Sequence, residues 1–261
     1  MIDNNIKKLS NDEKVIYDKI ARERADEFRS KYMFKDINSL EILKEFYILK
    51  FPNDLGISGS YIRKKGRDKD YNCIYINTNE PIGRQNFSLM HELYHAFYEK
   101  SNEIVSLYKM VAYDSIEFTA ERFASYVLIP REILKFELTK IKGSNCIFNI
   151  CIEQLFDLQE KFKCSFISLV YAISELKNER NDLVPRNINQ FWKYKNQNKW
   201  DELKRLTDHY IRIRNYKVNY NEADESQFWP NNFKENIENN IDKGLISKEE
   251  VEELNEFFEE E

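Results

Sequence analysis

Two of the three histidines in the 261-residue chain lie four positions apart, in His91-Glu92-Leu93-Tyr94-His95. Residues i and i+4 of a helix share one face, so both imidazoles can reach a single metal ion. Glu92 lies one position along, where its carboxylate can reach a water molecule on that ion. This is the HExxH spacing, in which two histidines bind zinc and the glutamate acts as a general base in hydrolysis. The alternative is a hydrogen-bonded pair of partly buried histidines on an amphipathic helix.

A hydrolytic zinc site with two histidines needs a third protein ligand and an open position for water. The best candidate is Glu117, near the start of a later helical pattern. Small Ala120 and Ala124 on the same side of this pattern would let its helix approach the motif helix closely. Two alternatives remain open: Glu121, one turn later on the same face, as the ligand, or Glu117 as a helix cap, from the capping-box-like spacing Asp114-x-x-Glu117.

The elements that must position these side chains are mostly helical, because apolar residues recur at helical spacing on both sides of the motif. In the motif helix, an apolar stripe leaves both histidines on another face; it consists of Phe87, Met90, Tyr94 and Phe97. Helices are predicted at residues 84–99, 115–128, 131–140, 149–160 and 164–178, after two earlier helical patterns at 15–28 and 40–49.

Two short strands are predicted between these patterns, at Ile57–Ile62 and Cys73–Ile76. We expect an ordinary hairpin; the alternative is that the first strand pairs with an extended substrate peptide at a sheet edge. Only 6 glycines and 5 prolines occur in the chain, which argues against a sandwich or barrel with many tight turns. The sequence therefore predicts a helix-rich fold with little sheet.

Charge and composition exclude several function classes. The formal net charge is −5, which gives no overall case for nucleic-acid binding. We find no secretory signal and no apolar stretch of about 20 residues, the length that spans a membrane. The four cysteines form no CxxC pair and are expected to be reduced thiols. We therefore expect a cytoplasmic protein without a membrane partner.

The C-terminal part of the chain has a different character. The polar stretch Lys177–Asn187 is the candidate linker, so we predict one domain at residues 1–178 and a helical extension at 186–261. Its helices are predicted near 188–215, at 230–242 and from Ser247. Basic and aromatic residues alternate between Arg186 and Lys217, as they do on nucleic-acid surfaces. We favour an amphipathic helix whose aromatic residues face a small core, so direct nucleic-acid binding is not expected; an appendage that recruits a protein partner is a further alternative.

Several segments around the motif occur in the order of a known family. In that family a G-x-x-G segment precedes an I-x-I-N strand, an R-x-x-F-S/T-x-x-HE-x-x-H helix follows, and an E-x-x-A-x-x-x-A helix ends in a turn with proline. The corresponding segments here are Gly56–Gly59, Ile74–Asn77, Arg84–His95, Glu117–Ala124 and Val127–Pro130. Over roughly residues 35–178 the chain resembles the ImmA/IrrE family of metallopeptidases.

The resemblance implies an α+β fold, with a helix-rich, zincin-like minimal metallopeptidase domain that contains a small antiparallel sheet, followed by the helical extension. It places Glu117 on the family's third-ligand position. The implied site is a zinc ion on His91, His95 and Glu117, with Glu92 as the catalytic base. Glu121 stands where the family usually has asparagine.

The resemblance also implies a function. Members of the family are cytoplasmic zinc endopeptidases that typically cleave a helix-turn-helix transcriptional repressor and so switch on prophage, mobile-element or stress genes. We therefore expect a site-specific metallo-endopeptidase whose protein substrate is such a repressor. The alternative is a non-catalytic module that binds and sequesters a DNA-binding regulator, although a purely structural zinc site has no use for Glu92. Candidates for stabilising the oxyanion are Tyr94, Tyr113 and His209.

Overall fold

The computed structural model describes most of the chain, in two compact units, Met1–Gln227 and Phe228–Glu261. The described residues are 9–32, 43, 45–54, 56–65, 70–99, 105–107, 115–143, 148–224, 233–244 and 247. In the first unit the α-helices are α1 (Asn11–Lys31), α2 (Ile82–Tyr98), α3 (Ser115–Leu128), α4 (Arg131–Lys142), α5 (Ile152–Phe162), α6 (Phe166–Glu175), α7 (Lys177–Arg180) and α8 (Gln197–Arg214). Short 3-10 helices cover Asn181–Leu183 and Ile188–Lys195. The second unit contains α9 (Phe233–Asp242).

The first unit contains a four-stranded sheet in the order β1-β3-β2-β4. The strands are β1 (Tyr47–Phe51), β2 (Gly59–Lys65), β3 (Asp70–Asn77) and β4 (Val105–Leu107). The predicted α+β, helix-rich fold is confirmed. The sheet is mixed rather than wholly antiparallel, because β1 runs parallel to β3 while β2 runs antiparallel to both of its neighbours.

The helical pattern predicted at 40–49 is wrong where it overlaps β1. Residues 47–51 form a strand, from Tyr47 opposite Cys73 to Phe51 opposite Asn77; most of the pattern before them, at 40–42 and 44, lies outside the described residues. A short apolar run before Pro52 does not distinguish helix from strand by periodicity, and pairing with β3 decides the outcome.

The predicted hairpin is present, with β2 and β3 paired from Gly59 opposite Ile76 to Lys65 opposite Asp70. On its other side, β2 pairs with β4 over Ser60–Ile62. The alternative that a substrate peptide pairs along this strand is therefore wrong for these three residues, because their backbone groups already pair with β4.

Helix α3 packs against both α1 and α2. Ala21 and Ala25 of α1 and Ala120 and Ala124 of α3 have no exposed surface, and these small side chains allow the helix axes to approach closely. Helix α1 begins at a capping box, in which Ser10 Oγ accepts from the Glu13 backbone and the Glu13 carboxylate accepts from the Ser10 backbone.

An ionic network fixes α3 on its other side. Arg122 of α3 pairs with Asp18 of α1 and, at 2.6 Å, with Glu175 of α6. Glu175 also accepts from Arg131 of α4 at 2.7 Å. Burial works against the charge of Arg122, but the hydrogen bond with Glu175 and the charges of Glu175, Tyr126 and Asp18 together raise the pKa of Arg122. The network thus fixes α3 relative to α1, α4 and α6. Glu117, about one and a half turns earlier on α3, is positioned by the same contacts.

Residues beyond the predicted linker pack into the first unit. Phe191, Tyr194 and Tyr210 are buried in the core, as the amphipathic-helix interpretation requires. The backbone oxygens of Tyr220 and Glu222 accept hydrogen bonds from Gly83 and Ile82 at the start of α2. The domain boundary at 178/186 stays a prediction, and the helix predicted from Ser247 lies outside the described residues except for Ser247 itself.

Two further expectations concern the chain as a whole. Of the four cysteines, Cys73, Cys151 and Cys164 are free thiols, and Cys146 lies outside the described residues. Within the part of the chain that the structure describes, no helix has both the length and the apolar character needed to cross a bilayer.

Gly83 lies in the first turn of α2, where a side chain has no room. A Cβ atom there would lie 2.4 Å from Ser165 N and 2.7 Å from the carbonyl carbon of Cys164, both backbone atoms that cannot rotate away. We expect Gly83→Ala to lower the free energy of unfolding in urea by about 1–3 kcal/mol, the usual cost of overpacking. Glycine-to-alanine changes inside helices normally stabilise by about 1 kcal/mol, so a gain in stability would contradict the close approach.

Candidate metal centre and active site

Helix α2 carries the HExxH motif through the interior of the first unit. Its histidine face is turned toward α3, and the helix also contacts β2 and β3. His91 and Glu92 have no exposed surface, and His95 is 1% exposed. All three side chains are therefore enclosed by the surrounding protein.

The structure brings His91, His95 and Glu117 together. The two Nε2 atoms lie 3.0 Å apart. Glu117 Oε2 lies 3.2 Å from His91 Nε2, and Glu117 Oε1 lies 3.5 Å from His95 Nε2. Within the described ranges, these three residues form a group whose ligand atoms all lie within 4.8 Å of one another.

These separations fit a single tetrahedral metal ion. Nitrogen and oxygen ligands about 2.0–2.1 Å from a zinc ion lie roughly 3.3–3.4 Å from one another in tetrahedral coordination. The observed separations of 3.0, 3.2 and 3.5 Å span that value. Two imidazoles and one carboxylate are also a ligand set of catalytic zinc sites that keep one position open. The residues present therefore fit a metal ion, and their assignment as its ligands stays a prediction.

The electrostatics favour the protonation states that bind metal. Burial lowers the pKa of His91; the hydrogen bond with Glu117 opposes this shift, and the charges of His95 and Arg84 add to it. Burial alone would raise the pKa of Glu117, but the hydrogen bond with His91 and the charges of both histidines hold it below the usual value. A neutral imidazole and an ionised carboxylate are the forms that act as ligands.

Glu92 lies beside the cluster, under the first residue of β2. A Cβ atom on Gly59 would lie 3.2 Å from Glu92 Oε1 and 3.3 Å from both Glu92 Cγ and Ser88 Cβ. Glycine at this position lets the strand cross the helix directly above the carboxylate. The other glycine of the G-x-x-G segment, Gly56, has a different role, since its φ of +70° is in the left-handed region that favours glycine.

The side chain of Asn77 fixes the backbone of the loop that precedes β2 and leads to Gly59. Its amide nitrogen donates to the backbone oxygens of Asn53 and Ile57, at 2.8 and 3.0 Å. Its side-chain oxygen accepts from the backbone nitrogens of Asn53 and Asn79, at 3.0 Å each. The asparagine of the I-x-I-N strand thus fixes the loop before β2, and through it the position of β2 over Glu92.

Glu99 is a part of the site that sequence reasoning missed. Its Oε2 atom lies 3.2 Å from His95 Nδ1, a close contact without hydrogen-bond geometry, and its side chain is 19% exposed. A carboxylate on the far nitrogen of a histidine ligand fixes the tautomer and the orientation of the ring. The available signal was spacing: Glu99 follows His95 by four positions, directly after the last residue of α2.

We expect Glu99→Gln to weaken zinc binding about 10–100-fold while the protein stays folded, because the amide does not orient His95 as a carboxylate does. Competition with a chromogenic chelator measures the affinity. Glu99→Asp is the partner variant, since it keeps the charge at a shorter reach. Equal zinc affinities for the wild type and both variants would show that the contact does not support the metal site.

The remaining candidates are Glu121 for the third ligand and three residues for stabilising the oxyanion. Glu121 is not in the three-residue cluster, although it is half-buried one turn further along α3. The Tyr94 hydroxyl accepts a hydrogen bond from Arg24, and His209 is exposed on α8. Tyr113 and Asp114 lie outside the described residues, so the oxyanion role and the capping alternative stay untested there.

Comparison with known proteins matches the segment that builds this site. The family model of the IrrE N-terminal-like domain, which describes a peptidase family, matches residues 53–174. The matched segment contains Gly56, Gly59 and the helices α2 and α3. It therefore contains His91, His95 and Glu117. No curated protein matches the chain.

Proposed function

Residues 53–174 belong to the IrrE N-terminal-like family of metallopeptidases, and from this we propose that the chain is a zinc-dependent, site-specific endopeptidase. The observation that carries the proposal is the spacing of the His91, His95 and Glu117 ligand atoms, at 3.0–3.5 Å, beside the buried carboxylate of Glu92. A metal site of this ligand set with an adjacent base is a hydrolytic arrangement rather than a purely structural one.

In this proposal each residue has a distinct task. His91, His95 and Glu117 would hold the zinc ion, which when bound supplies a Lewis acid that polarises a peptide carbonyl and acidifies water. Glu92 takes the proton from the attacking water and returns it to the leaving amine. Gly59 lies directly above Glu92 and Ser88, with no room between the strand and these side chains for a larger residue to fit without displacing them. Glu99 lies 3.2 Å from the far nitrogen of His95, where it would orient the ring.

We further propose a cytoplasmic protein substrate, a helix-turn-helix repressor whose cleavage derepresses mobile-element or stress genes. The family resemblance of the motif region supports this step. The cleavage would be limited to few sites, since the buried centre requires the substrate to present an accessible extended segment.

The proposal is tested by comparing the protein N-termini of cells that express the wild type with those of cells that express Glu92→Gln. We expect new N-termini with the wild type alone, concentrated within one DNA-binding repressor. If both proteins are folded and zinc-loaded and the N-termini do not differ, a pull-down with each protein follows. Recovery of an intact DNA-binding regulator in that case would favour the sequestering alternative over proteolysis.

A further inference from the structure

A cavity of about 400 Å³ lies between α1, the end of α2 and the start of α3. Its walls combine three tyrosine rings with a few polar groups, which is the usual composition of a ligand pocket. The residues that matter for its chemistry are Tyr17, Arg24, Tyr94, Tyr98, Glu99 and Thr119. Neither the family match nor the proposed reaction assigns a role to this cavity.

Arg24 is the cationic group of the pocket. Its guanidinium lies 5.3 Å from the ring centroid of Tyr94 and 4.8 Å from that of Tyr98, and it donates a hydrogen bond to the Tyr94 hydroxyl. Within the described part of the chain, no carboxylate lies within ion-pair distance of Arg24. The hydrogen bond to Tyr94 uses one of the five guanidinium N–H groups, which leaves donors for a ligand.

The neighbouring arginines of the same helix bundle show the contrast. Arg22, two residues earlier on α1, pairs with Glu179 at 2.8 Å. Arg122 and Arg131 both pair with Glu175. Arg24 therefore differs from these three: it faces an open cavity and, among the described residues, has no ion pair with a carboxylate, although Glu99 lines the same cavity.

The pocket adjoins the proposed metal centre through two elements. Glu99, which lines it, contacts the far nitrogen of His95. Thr119, on the other wall, follows Glu117 by two residues on α3. A peptide segment at the metal centre would thus have the pocket within reach of one of its side chains.

We propose that this pocket binds an acidic side chain of the peptide substrate, with Arg24 as the residue that sets specificity; this rests on the proposed endopeptidase function. A planar guanidinium and a carboxylate match in shape and charge, and can form two parallel hydrogen bonds. The tyrosine rings cover the methylene groups of aspartate or glutamate. The carboxylate of Glu99 in the same pocket disfavours a doubly charged phosphate more strongly than a singly charged carboxylate.

A binding selection tests this without requiring cleavage. The zinc-loaded Glu92→Gln protein is immobilised and exposed to a random peptide library, and the retained peptides are sequenced. We expect Asp or Glu to be enriched at one position. The affinity of an enriched peptide should fall roughly tenfold or more when that residue is replaced by Asn or Gln.

The same selection is repeated with Arg24→Gln, Arg24→Glu and the control Arg22→Gln, each in the Glu92→Gln background and each checked for folding by circular dichroism. Arg24→Gln should remove the acidic preference, Arg24→Glu should reverse it towards Lys or Arg, and Arg22→Gln should keep it. Failure to retain peptides, or an acidic preference that survives Arg24→Gln, would overturn the proposal. If the wild type binds the enriched peptides through Arg24 but does not cut them, the pocket stands and the proposed peptidase function fails.

Discussion

Glu92→Gln is expected to lower the rate of peptide hydrolysis by about 10²–10⁴-fold, the usual contribution of a general acid–base group. Glutamine has nearly the shape of glutamate but cannot accept a proton from water. Glu92 is fully buried and lies outside the three-residue ligand cluster, so zinc content should stay at about one ion per chain. The measurement combines single-turnover cleavage of a substrate found by N-terminal comparison with metal analysis of the same sample.

The control for this prediction is Ser88→Ala. Ser88 packs beside Glu92 under Gly59 but has no part in the proposed proton transfer, so its variant should retain most of the activity. A Glu92→Gln protein with activity within a few-fold of the wild type would remove Glu92 from the role of base. Loss of zinc from Glu92→Gln would instead show that the carboxylate supports the metal site itself.

Helices α2 and α3 could be predicted from the sequence because the patterns that indicate them lie within short segments of the chain. Helix α3 begins and ends at the predicted residues, Ser115 and Leu128, and α2 differs from its prediction by two residues at the start and one at the end. Both helices have apolar residues at helical spacing, and a helix brings two histidines four positions apart onto one face. Spacing on one helical face leaves both Glu117 and Glu121 as candidates for the third ligand, and the family resemblance favours Glu117.

Other features depend on partners that are distant in the chain. Residues 47–51 become a strand because β3 offers unpaired backbone groups beside them, a fact that no short window contains. The need for glycine at position 59 is visible only once β2 crosses α2 above Glu92. The backbone of Tyr220 and Glu222 closes the start of α2, although these residues lie more than 130 positions later.

The hydrogen bonds from the start of α2 to Tyr220 and Glu222 determine which truncation can test the role of the C-terminal part. A deletion from residue 186 would remove core aromatic residues such as Phe191 along with the hydrogen bonds at Gly83. Such a deletion would test folding rather than substrate recruitment. A truncation after Gln227, at the border between the two compact units, separates the two questions.

Glu117→Ala is expected to weaken zinc binding by more than about 100-fold, because it removes one of three ligands, whereas the loss of a supporting residue costs only about 10–100-fold. Glu117 contacts both histidines, at 3.2 and 3.5 Å, and its pKa is held low by them, so at neutral pH it is present as the carboxylate. Elemental analysis and chelator competition measure the loss, and thermal unfolding of the metal-free proteins shows whether the fold persists.

Glu121→Ala is the matched control, since it removes the same group one turn further along the same helix. It should bind zinc as the wild type does, because Glu121 is outside the cluster of described ligand atoms. The pair decides between the two carboxylates: full zinc occupancy in Glu117→Ala together with loss in Glu121→Ala would move the third ligand to Glu121. That result would require α3 to slide along its axis by roughly 6 Å, the rise of four residues, and to rotate by about 40°. Both movements are opposed by the ion pairs of Arg122.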